Sequence, residues 1–85
     1  MLPEIKPSEL PEFSDIEISL IRMLAYECPT CYIAHYLSLT EKAVDEMLVT
    51  LVKKMKVKNE VGVVLFALKY GMIHLDGIYQ SYKMN

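Results

Sequence analysis

Four short apolar blocks, each bounded by capping or turn residues, constrain this chain more than any other feature. At F-S-D-I-E-I, Ser14 can cap a helix, Glu17 completes a capping box three residues on, and Phe13 and Ile18 are placed for a hydrophobic staple. The helix that follows should run to about Ala25, with Leu20, Ile21 and Leu24 toward the core and Ile16 and Met23 widening the apolar face. Cys28 and Pro29 break it, and T-C-Y-I-A-H-Y-L reads as a second, short helix burying Ile33, Ala34 and Leu37, with Ala34 small enough for a close helix crossing. Ser38-Leu39-Thr40 is a tight turn in which Thr40 caps a third helix, from Glu41 to about Met55, with Val44, Leu48, Leu51, Val52 and Met55 as its stripe. After K-V-K comes a fourth helix, about Asn59 to Tyr70, on which Val61, Val64, Leu65 and Leu68 share a face; Gly71 is set to end it in a left-handed cap. The expected fold class is therefore all-α with four helices.

The flanks read differently. Residues 1–12 hold three prolines and three glutamates without an apolar period, which suits a flexible arm or linker. Residues 13–73 form the expected domain, and residues 74–85 a C-terminal extension. An Asp-Gly pair in M-I-H-L-D-G-I-Y-Q-S-Y makes a short hairpin one option there, an extended or helical tail the other.

Composition narrows the function. Eighty-five residues can bury only one core, which leaves no room for a separate catalytic domain. The longest uncharged apolar run, Val61 to Leu68, falls well short of the roughly 20 residues of a membrane span. The first residues lack the basic and apolar regions of a secretory signal, so the expected location is the cytoplasm. The net charge of −2 is unevenly spread: residues 1–51 carry three basic and nine acidic side chains, residues 52–85 six basic and two acidic. An acidic protein lacks the overall charge of a dedicated nucleic-acid binder, and only Lys53, Lys54, Lys56 and Lys58 form a basic cluster.

A tight turn between a short helix and a longer one is the plan of a helix-turn-helix. Successive segments make this specific. F-S-D-I-E-I-S-L-I-R-M-L-A, I-A-H-Y-L-S-L-T-E-K-A-V, K-K-M-K-V-K-N and A-L-K-Y-G-M-I together resemble, over residues 13–73 and without gaps, the LuxR/GerE-type helix-turn-helix domain. K-N-E-V-G-V-V-L-F-A-L-K-Y-G-M-I is closest to its bacterial response-regulator branch. The resemblance implies a DNA-binding transcription regulator, or a free-standing response-regulator output domain, with the third helix in the major groove of double-stranded DNA. It also implies a homodimer through the fourth helix, by Val61, Val64, Leu65 and Leu68.

By position, Lys42 stands where the family commonly has a basic residue and Val44 matches the valine that can touch base methyls; Lys54 and Asn59 also match, and Thr40 replaces the usual serine. The candidate DNA-binding set is Thr30, Thr40, Lys42, Val44, Lys53, Lys54, Lys56 and Lys58. The departures fall on the DNA side. Asp45 stands where lysine is usual, Met47 for histidine, Ala43 for threonine, Cys31 for lysine and Glu60 for arginine. Glu41, Asp45 and Glu46 favour the positive end of the helix dipole whatever the helix touches, and carboxylates can accept from cytosine N4. The competing reading is a degenerate helix-turn-helix module whose acidic third helix binds a protein partner and not DNA, with Ile16, Met47 and Val49 as apolar contacts.

Other constellations lead to weaker chemistry. Cys28-Pro-Thr-Cys31 lacks the strand-loop-helix setting of a redox pair, and Cys28, Cys31 and His35 reach four metal ligands only with distant His74. Two reduced thiols are the preferred reading, with no metal and no cofactor. Tyr26, Tyr32 and Tyr36 could stack on bases, but without a basic groove they are expected half-buried on helix surfaces. No Gly-rich phosphate loop, Ser/His/Asp set or H-E-x-x-H pattern is present, and no catalytic residue is assigned.

Overall fold

The computed structural model describes residues 4–74, which form four helices and no strand: α1 Asp15–Ala25, α2 Thr30–Leu37, α3 Glu41–Met55 and α4 Glu60–Lys69. Capping chemistry sets the starts. The Ser14 hydroxyl accepts from the Glu17 amide while the Glu17 carboxylate accepts from the Ser14 amide, so the capping box closes in both directions. Thr40 accepts from the Ala43 amide at 3.0 Å, and Asn59 from the Val61 and Gly62 amides at 3.0 and 3.2 Å. Pro29 precedes α2 without a side-chain cap, supplying only its extended backbone.

All four helices end alike. The residue after each C-terminal turn turns left-handed, at Glu27, Ser38, Lys56 and Gly71, and the next amide folds back five residues: Cys28 to Met23, Leu39 to Ala34, Val57 to Val52 and Met72 to Ala67. These are Schellman closures, and three of them place an L side chain where glycine would be relaxed.

The core is built by α1, α3 and α4, with α2 lying mainly on α3. Leu20, Ile21, Ile33, Leu51, Met55, Val63 and Phe66 are fully buried. Phe13, just before α1, meets Phe66 edge-on at 6.5 Å. Leu24, Leu37, Leu48 and Val52 are half-buried around this centre, Met23 is inside, and Ile16 lies at the surface. No helix among the described residues is long and apolar enough to cross a membrane.

Val61, Val64, Leu65 and Leu68 share one side of α4, with Val61 and Leu65 exposed and Val64 and Leu68 half-buried on the core, while Val63, Phe66 and Ala67 are its buried residues. α4 is apolar on nearly every side, so packing and not helical spacing selects those three. One expectation is corrected: residues 4–12, read as part of a flexible arm, are held on the domain. They include a 3-10 turn at Pro7–Glu9. The Ile5 amide donates to the Tyr70 hydroxyl at 2.9 Å, Glu4 pairs with Lys69 at 3.0 Å, and Ile5 and Leu10 pack on the core. The possible hairpin falls mostly on residues 75–85, outside the described residues.

Gly62, in the first turn of α4, marks the closest approach. A Cβ there would lie 2.7 Å from the Cβ of Val57, so the α3–α4 connection can press on the helix only because the side chain is missing.

Candidate nucleic-acid interface

α3 presents one continuous outward stripe. Lys42, Asp45, Glu46, Val49 and Lys53 are all exposed, and Lys56 is exposed at the left-handed cap that follows. Lys42 and Lys53, eleven residues apart, differ by only about 20° in helical angle and lie roughly 17 Å apart along the axis. Between them stand two carboxylates and Val49, which is 52% exposed. Lys58 is exposed just beyond the helix. Leu48, Val49 and Val52, with Lys53, Lys58, Asn59 and Glu60, line a shallow cavity of about 370 Å³ between α3 and the start of α4.

Val44 is not on this surface. It is 3% exposed, inside the core, and cannot touch a base methyl. The position lies about 100° around the helix from Asp45 and on the side facing the other helices. Val49, named above only as a contact for a protein partner, is the aliphatic side chain in the outward stripe, where a helical count from Lys42 also puts it.

Lys54 is the second correction. Its Nζ lies 3.0 and 3.3 Å from the two carboxylate oxygens of Glu17 and 4.7 Å over the Phe13 ring, so it braces α3 to the start of α1. Burial would raise the Glu17 carboxyl, but the Ser14 amide, the Lys54 ammonium and the Ser14 hydroxyl outweigh that and hold it below the ordinary glutamate range. An ammonium satisfied this way is a poor donor to phosphate. Nothing in the sequence marks the pair, whose members are 37 positions apart.

The remaining candidates are placed as follows. Thr40 has one lone pair committed to the cap, leaving its hydroxyl proton free to donate. Thr30 is the first residue of α2 and half-buried. Met47 packs partly against the core and leaves little to reach outward, while Ile16 is 38% exposed on α1. Cys28 is half-buried, Cys31 exposed, and both are free thiols. No group of three or more His, Cys, Asp or Glu among the described residues could hold a metal ion.

The tyrosine expectation is also corrected: Tyr26, Tyr32 and Tyr36 are 38%, 52% and 67% exposed. An eight-residue α2 turns only Ile33 and Ala34 fully inward, which leaves Tyr32 and Tyr36 facing out, and Tyr26 is exposed as the C-cap of α1. α4 and the end of α1 border an open cavity of about 500 Å³, lined in part by Leu24, Val61, Val64 and Leu65. Val61 is 61% and Leu65 48% exposed there, whereas Leu68 is half-buried on the core. Compared with protein-family models, curated proteins and solved structures, the chain gives no match in any of the three.

Proposed function

We propose that this chain is a helix-turn-helix DNA-binding regulator of the LuxR/GerE type, with α3 as its recognition helix. The observation that carries this reading is the outward stripe of α3, with lysines at both ends and nothing of the described chain covering it. The major groove is about 12 Å wide, so lysines roughly 17 Å apart along a helix can reach the phosphates on its two walls. Over the bases, Asp45 and Glu46 accept from cytosine N4 and Val49 meets thymine methyls. Lys42, Lys53, Lys56 and Lys58 supply the phosphate contacts, with Thr40 adding a neutral one. Val61, Val64 and Leu65 cover one another in a two-fold dimer, which sets two copies of α3 on successive half-sites.

A second reading rests on a different observation. With Val44 buried and Lys54 held by Glu17, two of eight expected DNA contacts are gone, and Asp45 and Glu46 stay exposed. An acidic stripe with Val49 at its centre also suits a basic protein partner. The variant Asp45→Lys/Glu46→Lys separates the two, because both side chains are exposed and the fold is unaffected. On DNA, removing four units of charge difference strengthens binding at least tenfold and steepens its salt dependence. Unchanged DNA binding by this variant means that α3 does not face the groove.

A further inference from the structure

The outer side of α4 has a counterpart further along the chain. Val61 is followed three, four and seven positions on by Val64, Leu65 and Leu68, and Leu75 by Ile78, Tyr79 and Tyr82 at the same intervals. On a helix either set occupies one side over about 10 Å. The first side is open: Val61 is 61% and Leu65 48% exposed, and with Val64 they line the cavity between α4 and the end of α1.

Backbone geometry returns the chain to α4. Gly71 turns left-handed with φ 75, and the Met72 and Ile73 amides both donate to the Ala67 carbonyl, at 2.8 and 3.4 Å. The described chain therefore stops beside the last turns of α4 and does not run on past its end. Since α4 ends at Lys69, residues 70–74 make a connection of the length that joins antiparallel helices in a hairpin, about 2–5 residues.

We propose that residues 75–83 lie antiparallel along this side of α4 and compete there with the second copy of the chain. That register sets Leu75 by Leu68, Ile78 and Tyr79 by Leu65 and Val64, and Tyr82 by Val61. Charge at the far end agrees with it. Lys83 comes to Glu60, an exposed carboxylate that borders the same cavity and has no ion pair among the described residues. Asp76 in the first turn and Lys83 in the last suit the dipole of a helix over 75–83. Gly77 lowers its helix propensity, so contact with α4 holds the segment there and a stronger contact displaces it.

The tether decides for this occupant over a separate protein. Through so short a connection the segment is present at an effective concentration on the order of 1 mM, against which any free partner has to bind. The tail contact stands by itself, whereas the competition rests on the reading of this side of α4 as the dimer contact.

The test is disulfide trapping in the full chain with Cys28→Ser and Cys31→Ser, at low micromolar protein in air with copper-phenanthroline. Glu60→Cys with Lys83→Cys leaves both apolar stripes intact and is expected to give a monomer linked within itself. It should form about tenfold faster than the link from a control pair, Glu46→Cys on α3 with Lys83→Cys. Tyr79→Asp sets a charge against the stripe and, by removing the competitor, should strengthen dimer formation about tenfold in sedimentation. Links found only between two chains, or equal rates for the two pairs, overturn the proposal. A linked monomer with dimer strength unchanged by Tyr79→Asp overturns the competition. A linked monomer with no dimer from either chain upholds the tail contact and overturns the dimer reading, which keeps the two failures apart.

Discussion

Lys54 and Glu17 join the C-terminal part of α3 to the first turn of α1, with Nζ 3.0 Å from Oε1 and the two side chains 28% and 14% exposed. The same glutamate closes the α1 capping box. Glu17→Gln therefore loses the ion pair and weakens the cap, and about 1–2 kcal/mol of stability is expected to go with it. The sign of the pH dependence follows from the lowered folded value. The contribution is complete above the ordinary glutamate value of 4.5 and is lost as the pH falls through the lower folded value. Denaturant titrations across the acid range check this: wild type and Glu17→Gln converge at low pH and separate above it.

Two valines five residues apart on α3 have opposite duties. Val44→Ala should cost about 2 kcal/mol of stability, from lost burial and a residual cavity, and leave the base preference of the folded protein unchanged. Val49→Ala should leave the unfolding midpoint within about 0.5 kcal/mol of wild type and lower the preference for thymine at one position of a selected site. Denaturation beside a binding-site selection reads both outcomes.

The helix boundaries were legible because local chemistry writes them: Ser14 with Glu17, Thr40 and Gly71 act as caps where their residue types placed them, while Asn59, read as the start of the fourth helix, caps it from just outside. The rotation of α4 was not, since Val61 to Leu68 is apolar at every angle and the choice of Val63, Phe66 and Ala67 for the core is made by packing against other helices. The candidate site was legible for its exposed lysines and illegible for Lys54, whose commitment depends on a glutamate distant in the chain. Left-handed ends at Glu27, Ser38 and Lys56 carry no glycine to announce them. The attachment of residues 4–12 was hidden by their prolines and charges, because the anchors are the sparse Ile5 and Leu10.

These left-handed ends are open to improvement. Ser38 has φ 58, and Ser38→Gly is expected to raise stability by about 0.5–1 kcal/mol. Gly71 has φ 75 and open space where a Cβ would lie, so Gly71→Ala should lose about 1 kcal/mol from backbone conformation alone. Thermal unfolding of the two variants should move in opposite directions.

The exposed α4 face makes a separate prediction about assembly. Leu65→Glu places a charge at a 48%-exposed position, so the folded monomer tolerates it while a dimer contact there does not. Sedimentation at several protein concentrations should report a dimer for the wild-type chain and a monomer for Leu65→Glu. Identical sedimentation of the two removes this face from the dimer.

The role of α3 is tested most directly by anisotropy with a random-sequence duplex over a range of salt. Four exposed lysines against the phosphates predict a log–log slope of about −3 to −4 per protomer, with Lys53→Gln flattening it by about one unit and Lys54→Gln by much less. No binding at about 50 mM salt with high-micromolar protein, or an equal loss from Lys53→Gln and Lys54→Gln, would contradict α3 as a DNA-recognition helix with the lysine roles assigned to it.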